Sequence, residues 1–451
     1  MKEKIRQVIK IAFLSVLSLG MVLPVFTMNT QKDFASKIDN TMLPEWNKEE
    51  FIPAEIDNYI DKRIGLREEA LNANTALYDK LFEEVEHPTY YYGKDGYVFF
   101  QNLVSQIYAP DVPFLQAFAK YLKKIQDYCT ARNVPFIYCI NPSKSTVYHE
   151  YLPKGYVYDN RFLKTLQSEL TQNGVNWISN AELLEEKAKN EQVFQVAYDP
   201  GHWNDLGHFY GNNHLLSNVQ KYFPAVKERT LDEFEIKDKQ YITNENTYQE
   251  TIEIGKAFYR KDIQAEEITA EYEGIVLNNN YGNFACFKHT GNTTGLPRTL
   301  FFHGSYYNRK RDFYKDSFAE SYSVHNYQNL LNFEYYFNIF QPELVLLETA
   351  EYATGSAYFT YGTLCGKEFN PFFADVKDEM HDRKLLSSLQ WEITEDERLL
   401  VLKTQLDKQY CYGYIETDNV VLDLQIDGNK ISFACDKTLV DITNAKVHLY
   451  F

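Results

Sequence analysis

The heptapeptide Tyr198-Asp199-Pro200-Gly201-His202-Trp203-Asn204 lies between an apolar run, Val193 to Ala197, and a helical pattern from about Asp205 to Tyr222. Read as strand, loop and helix, it places an Asp and a His in one tight turn at the carboxyl end of a strand. Open α/β sheets carry their sites at that edge. A second passage has the same form. In Phe301-Phe302-His303-Gly304-Ser305-Tyr306, a strand-like run from Arg298 to His303 delivers a Ser just ahead of a helical stretch. Asp, His and Ser are the parts of a charge-polarised nucleophile: Asp orients His, His takes the hydroxyl proton, and Ser attacks a carbonyl. Singly, Asp-x-x-His and Gly-Ser are common loop chemistry. Their arrival at one edge is what gives the reading weight.

The same rhythm extends outward from these two passages. Phe114, Leu115, Phe118, Tyr121, Leu122, Ile125 and Tyr128 form a helical stripe, and Val134 to Ile140 reads as a buried strand ending at Asn141-Pro142. A helix over 160–173, a short strand at Val175 to Ile178 and a helix from Asn180 to Lys189 follow. A helical stretch around Asp316 to Phe340 then leads to a last core strand, Glu343 to Glu348. Helices alternating with strands predict a three-layer α/β/α domain on a mostly parallel sheet. Its span is 91–352, with an insertion near 225–290 where the rhythm breaks.

Other chemistry flanks this domain. Lys2, Lys4, Arg6 and Lys10 precede an uncharged, mostly apolar run from Ile11 to Met28, the pattern of an export signal. Pro24-Val25-Phe26-Thr27 matches a cleavage site poorly, so residues 1–30 are expected to be an uncleaved, single-pass signal anchor holding the rest outside the cytoplasm. Residues 31–90 read as a polar, helical lead-in, and Gly93-Lys94-Asp95-Gly96 as a turn entering the strand Tyr97 to Phe100. Residues 353–451 hold short strand-like runs with a hairpin signal at Asp427-Gly428, which predicts a small all-β domain, a sandwich.

A net charge of −17 argues against nucleic acid or an anionic membrane surface as a partner. With 36 Tyr and 31 Phe, the chain has rings enough for both a core and sugar-stacking surfaces. The six cysteines fall at no metal-ligand spacing, so buried free thiols for most of them and no metal site are expected. By residue type alone, Lys144 reads as a solvated cap, His208 and His214 as packing or surface residues, and His303 as a strand-end packing residue.

Taken together and in order, these motifs resemble the alginate O-acetyltransferase family, whose catalytic domain is SGNH-hydrolase-like. Gly93 to Phe99 looks like its GKDGWLF signature. Asn141-Pro142-Ser143-Lys144 with Tyr148 and Tyr151-Leu152-Pro153 looks like its PxK…Y…LP stretch. Asp199 to Asn204 with Gly207 is similar to its DxHWxxxG segment, Gly304-Ser305-Tyr306 to its GDSF block, and Pro342 to Glu351 to the strand that follows. Two departures stand out: Pro200-Gly201 separates Asp from His where the family has one residue, and His303-Gly304-Ser305 replaces Gly-Asp-Ser.

The resemblance implies a catalytic Asp199, His202 and Ser305, with Trp203, Asn204, Tyr306, Lys144 and Tyr148 as candidate substrate-binding residues. It implies an acetyl group passed through an acyl-serine to hydroxyls of a cell-surface or exported polysaccharide. The donor would be a multi-span membrane acyltransferase partner, and no cofactor is required. An esterase that removes acetyl groups from such a polymer, or an inactive glycan-binding scaffold, would share the same features.

Overall fold

In the computed structural model, which describes residues 2–31, 53–82, 90–100, 110–242, 252–272, 275, 284–395 and 397–451, the apolar runs assemble around one mixed sheet. Three helices, α1 (Lys2–Phe26), α2 (Pro53–Arg63) and α3 (Arg67–Phe82), precede a hairpin of β1 (Tyr90–Tyr92) and β2 (Val98–Phe100). Its Lys94-Asp95-Gly96 turn needs positive φ at two successive residues, +52° at Asp95 and +81° at Gly96, which is why Asp-Gly stands there. The sheet then forms from β3 (Phe136–Asn141), β4 (Trp177–Ser179), β7 (Ala265–Glu267), β8 (Ala285–His289), β9 (Arg298–His303), β10 (Glu320–His325) and β11 (Leu344–Ala350), in spatial order β4-β3-β11-β9-β10-β8-β7.

Neighbours from β4 to β10 run parallel, and β8 and β7 close the edge antiparallel. This is the expected mostly parallel α/β sheet. β3 is buried at every position, so both of its faces are covered. α4 (Val112–Ala131) packs on it with the apolar stripe seen in the sequence, its start capped by Asp111, which accepts the Phe114 N–H at 3.1 Å. α5 (Arg161–Gln172) packs against α4, and α6 (Ala181–Ala188) against α7 (Asp205–Val219).

Two sequence expectations fail here. Val193 to Ala197 is not a strand of the sheet; its one ladder contact is an isolated bridge between Phe194 and Trp203. Val193 and Phe194 are fully buried, so their apolar character reflects core packing rather than strand pairing. The stretch from Asp316 to Phe340 is not one helix either. Residues Glu320 to His325 form β10, buried between β9 and β8, and helix returns in earnest only at α8 (Phe333–Phe340). Small Ser321 and Ser323 alternate with Tyr322 and Val324, a period of two that suits a strand packed on both faces.

Within 225–290, β5 (Phe234–Ile242) and β6 (Ile252–Arg260) pair over nine positions as a separate antiparallel ribbon. β7 and β8 instead join the main sheet. The C-terminal strands form two antiparallel four-stranded sheets: β12 (Asp382–Leu385), β19 (Lys446–Tyr450), β15 (Tyr412–Glu416) and β16 (Val421–Asp423) in one, and β13 (Glu392–Glu395), β14 (Leu399–Gln405), β18 (Lys430–Asp436) and β17 (Gln425–Asp427) in the other. Leu402, Phe433, Ile415 and Val447 meet in one core between them. Asp423 ties this region to α4 through Arg132 Nη2 at 2.9 Å and the Tyr128 hydroxyl.

All six cysteines are free, four of them buried. At the other end of the chain, Lys4–Phe26 is long and apolar enough to cross a membrane, with a mean hydropathy of 2.2 and no part buried.

Candidate active site

The Asp199 loop folds around its own carboxylate. Asp199 Oδ1 accepts the backbone N–H of Gly201 and of His202, each at 2.9 Å, so the two residues between Asp and His form a turn closed by the Asp side chain. The next residues anchor the loop to α7 and to the core. Asn204 caps α7, its Oδ1 accepting the Gly207 N–H at 2.9 Å, while its amide donates to the Gln192 carbonyl at 2.6 Å. Buried Trp203 donates its indole N–H to the Tyr306 carbonyl at 3.0 Å, stitching this loop to the serine turn.

Ser305 follows β9 directly. The strand delivers Gly304 in extended conformation, and Ser305 opens a 3₁₀ turn through Tyr307. Gly304 is confined: a Cβ there would lie 3.2 Å from the Tyr327 hydroxyl. Its N–H donates at 2.8 Å to Glu348 Oε2, a carboxylate buried at the end of β11.

The two loops meet in one Asp–His–Ser hydrogen-bonded array. His202 Nδ1 lies 3.1 Å from both carboxylate oxygens of Asp199, and His202 Nε2 lies 3.0 Å from Ser305 Oγ. Burial opposes charge on Asp199, but His202 and the two loop N–H groups outweigh it and hold the carboxyl well below its usual range. Asp199 is therefore ionised and can only accept, so the imidazole proton sits on Nδ1 and the Nε2 lone pair faces the serine. Burial likewise opposes charge on His202, yet the Asp199 carboxylate prevails and raises its pKa above the ordinary imidazole value. With Oγ–H directed at Nε2, the Tyr352 hydroxyl, 3.2 Å away, donates to Ser305 Oγ. Asp199 and His202 side chains remain about a third exposed, so the site opens to solvent.

Beneath it lies a set of buried ionisable groups. Burial lifts Glu348 to about 7 against the N–H of Gly304 and the Asn141 amide, which favour its charged form. Burial also lifts Glu351 to about 7; its Oε2 accepts the Ser143 N–H at 3.0 Å and the Thr146 hydroxyl at 2.7 Å. Burial lowers Lys144 to about 7, opposed by the charges of Asp199 and Glu253. His303 is driven down to about 3 by burial and packs on the rings of Phe301 and Tyr307, with Nδ1 donating to the Gly304 carbonyl at 3.0 Å. It is a packing residue, as its strand-end position suggested. His208, wedged among Trp203, Tyr307 and Phe313, is another.

The structure brings Asp199, His202 and Ser305 together and gives the five candidate substrate-binding residues inward-facing work. Trp203 and Asn204 hold the loop as described. Tyr306 shares its one hydroxyl proton between the Pro142 and Gly201 carbonyls, both at 2.8 Å. Tyr148 accepts the Val193 N–H at 3.0 Å. Lys144 is no solvated cap: it is fully buried and bonds only backbone carbonyls. Sequence reasoning missed Tyr352, Glu348 and Glu253. A signal existed for Glu348, a carboxylate in the otherwise apolar run Leu344-Val345-Leu346-Leu347.

Residues 91–276 match the family model described as "SGNH hydrolase-like domain, acetyltransferase AlgX". The resemblance read from the motifs stands, and the matched span contains Asp199 and His202 while ending before Ser305. Among solved structures, the chain is similar to PatB1 of Bacillus cereus (15% identity, TM-score 0.44, covering 59% of this chain and 97% of that one). It is also similar to the O-acetyltransferase domain of Pseudomonas putida AlgJ (13%, 0.41, 62% and 100%) and to Pseudomonas aeruginosa AlgX (12%, 0.40, 80% and 90%). No curated protein matches the chain in a sequence search.

Proposed function

We propose that this protein is a membrane-anchored, extracytoplasmic O-acetyltransferase that moves an acetyl group through Ser305 to hydroxyls of a cell-surface or exported polysaccharide. The observation that carries the reading is the Ser305 Oγ to His202 Nε2 distance of 3.0 Å, with Asp199 on the far side of the ring. His202 takes the Ser305 proton as Oγ attacks the donor carbonyl, and Asp199 stabilises the imidazolium that forms. The oxyanion faces the N–H groups that open the Ser305 turn and the Tyr352 hydroxyl; one such donor contributes roughly 3–4 kcal/mol. The donor's leaving group departs with the proton from His202. His202 then deprotonates a sugar hydroxyl, which attacks the acetyl-serine, and Ser305 regains its proton. A membrane acyltransferase partner supplies the acetyl group, and the N-terminal helix keeps the domain at that membrane.

Intact-mass analysis after exposure to para-nitrophenyl acetate tests the first half-reaction. Wild type gains one acetyl group and Ser305→Ala gains none; equal labelling of both overturns the mechanism and leaves a scaffold. Adding acetylatable oligosaccharides tests the second half. Sugar-independent release to water with no acetylated product identifies an esterase instead.

A further inference from the structure

The segment Val196–Asp199 delivers the triad's Asp without belonging to any strand ladder, so its backbone groups need partners from elsewhere. One comes from β2, whose Val98 N–H donates to the Val196 carbonyl at 3.0 Å, and two charged side chains supply the rest. Lys144, at the start of a short helix just after β3, donates to the carbonyls of Val98 at 2.8 Å, Val196 at 2.8 Å and Asp199 at 3.1 Å. An ammonium has three protons, and all three are committed here. Glu253, on the ribbon strand β6, serves the donors of the same segment. Its Oε1 accepts the Val196 N–H at 2.7 Å, and its Oε2 accepts those of Ala197 at 3.1 Å and Tyr198 at 3.2 Å. One residue beyond Tyr198, the Asp199 carboxylate meets His202.

We propose that Lys144 and Glu253 are positioning residues that clamp Val196–Asp199 by its carbonyls and its amides, and so set the Asp199–His202 contact. The ribbon β5–β6 is the arm that delivers one jaw. Neither side chain touches the reacting atoms. This inference rests on the triad reading above and adds a control on the basicity of His202. Loosening the segment lets Asp199 drift from Nδ1, and a displacement of about an ångström in a catalytic array is enough to cost rate.

The test uses the full chain in detergent, with Glu253→Ala, Glu253→Gln, Lys144→Met and Lys144→Arg. The readouts are an NMR titration of the His202 imidazole and the pre-steady-state acetylation rate with para-nitrophenyl acetate across pH. In Glu253→Ala the His202 pKa falls toward its ordinary value and the acid limb of the acylation profile moves to lower pH. The plateau rate drops roughly tenfold with KM for the ester unchanged. Glu253→Gln, whose carbonyl oxygen still accepts N–H groups, recovers part of both changes. Lys144→Met behaves as Glu253→Ala does and Lys144→Arg less severely; where Lys144→Met does not fold, Glu253→Ala decides. A wild-type His202 pKa in folded Glu253→Ala overturns the clamp, whether or not the rate has fallen. Failure of the triad reading looks different: wild type then shows no Ser305-dependent acetylation, while the His202 titration still reports on the clamp.

Discussion

Ser305 and His202, the proposed nucleophile and base, are held by different physics. Ser305 hangs from β9, which is paired on one side with β10 from Arg298 to His303 and on the other with β11 from Thr299 to Phe302. Main-chain ladders fix where that strand ends, and the serine turn inherits the precision. His202 hangs from a segment with one isolated bridge and one hydrogen bond from the Val98 N–H of β2, positioned otherwise by Lys144, Glu253 and the carboxylate of Asp199. A ladder is cooperative and independent of side-chain identity. A side-chain clamp is specific, titratable and breakable at one position. The site thus joins a rigid half to an adjustable one, and His202 lies in the adjustable part.

The largest effect expected is at the junction itself. Ser305→Ala and His202→Ala should each lower acetylation from an activated ester by roughly ten-thousand-fold, because members of a triad act as a unit. A loss of only a few-fold in initial-rate assays would mean that the two halves do not work together. Next, Tyr352→Phe removes the donor to Oγ without altering packing volume. It should cost roughly a hundredfold to a thousandfold in kcat with KM little changed, as for the loss of one oxyanion-type donor.

A third experiment addresses the comparison without chemistry. Native-state hydrogen exchange should find the amides of Leu300 to Phe302 protected near the global limit, and those of Val196 to Tyr198 opening far more readily. Equal protection would show the clamp to be as stiff as the ladder.

The pH profile sharpens the adjustable half. In the proposed mechanism His202 acts as a base only when neutral, and its pKa is raised. The acid limb of kcat/KM should therefore lie above the ordinary imidazole value of about 6.5. The smallest effect concerns stability. Glu351 has a folded pKa near 7, above an unfolded value of about 4.3, so the folded state binds the extra proton between them. That contribution is full below the unfolded value and is lost as pH rises through about 7. Glu351→Gln, which keeps an acceptor for the Ser143 N–H, should flatten this fall by of order 2 kcal/mol in denaturant titrations between pH 5 and 8.

Much of the α/β domain was legible because it obeys short-range rules. Arg298 to His303 and Glu343 to Glu348 announce buried strands by apolar content, and Ser305 announces a site by standing where one of them ends. The α4 stripe reads correctly at three- and four-residue steps. Val193 to Ala197 misleads for a physical reason: Val193 and Phe194 are apolar because they fill the core, and burial alone does not distinguish a paired strand from a packed loop. Glu320 to His325 was lost inside a helical reading because its period-two alternation, Ser321-Tyr322-Ser323-Val324, is only a few residues long and runs straight into the helical pattern that ends at Phe340.

By itself, the sequence determined that this chain has a mostly parallel α/β domain with a strand ending just before Ser305, an apolar N-terminal helix and a strand-rich C-terminal region. Those features depend on local pattern and on the order of the elements. Only the tertiary structure decided what Lys144, Tyr148, Trp203, Asn204 and Tyr306 do, because residue type cannot say whether a polar atom meets solvent or an unpaired backbone group. It alone also brought in Glu253, Glu348 and Tyr352, each far along the chain from the atom it contacts. The partners of a segment outside the sheet are set by packing between distant elements, and no local periodicity encodes them.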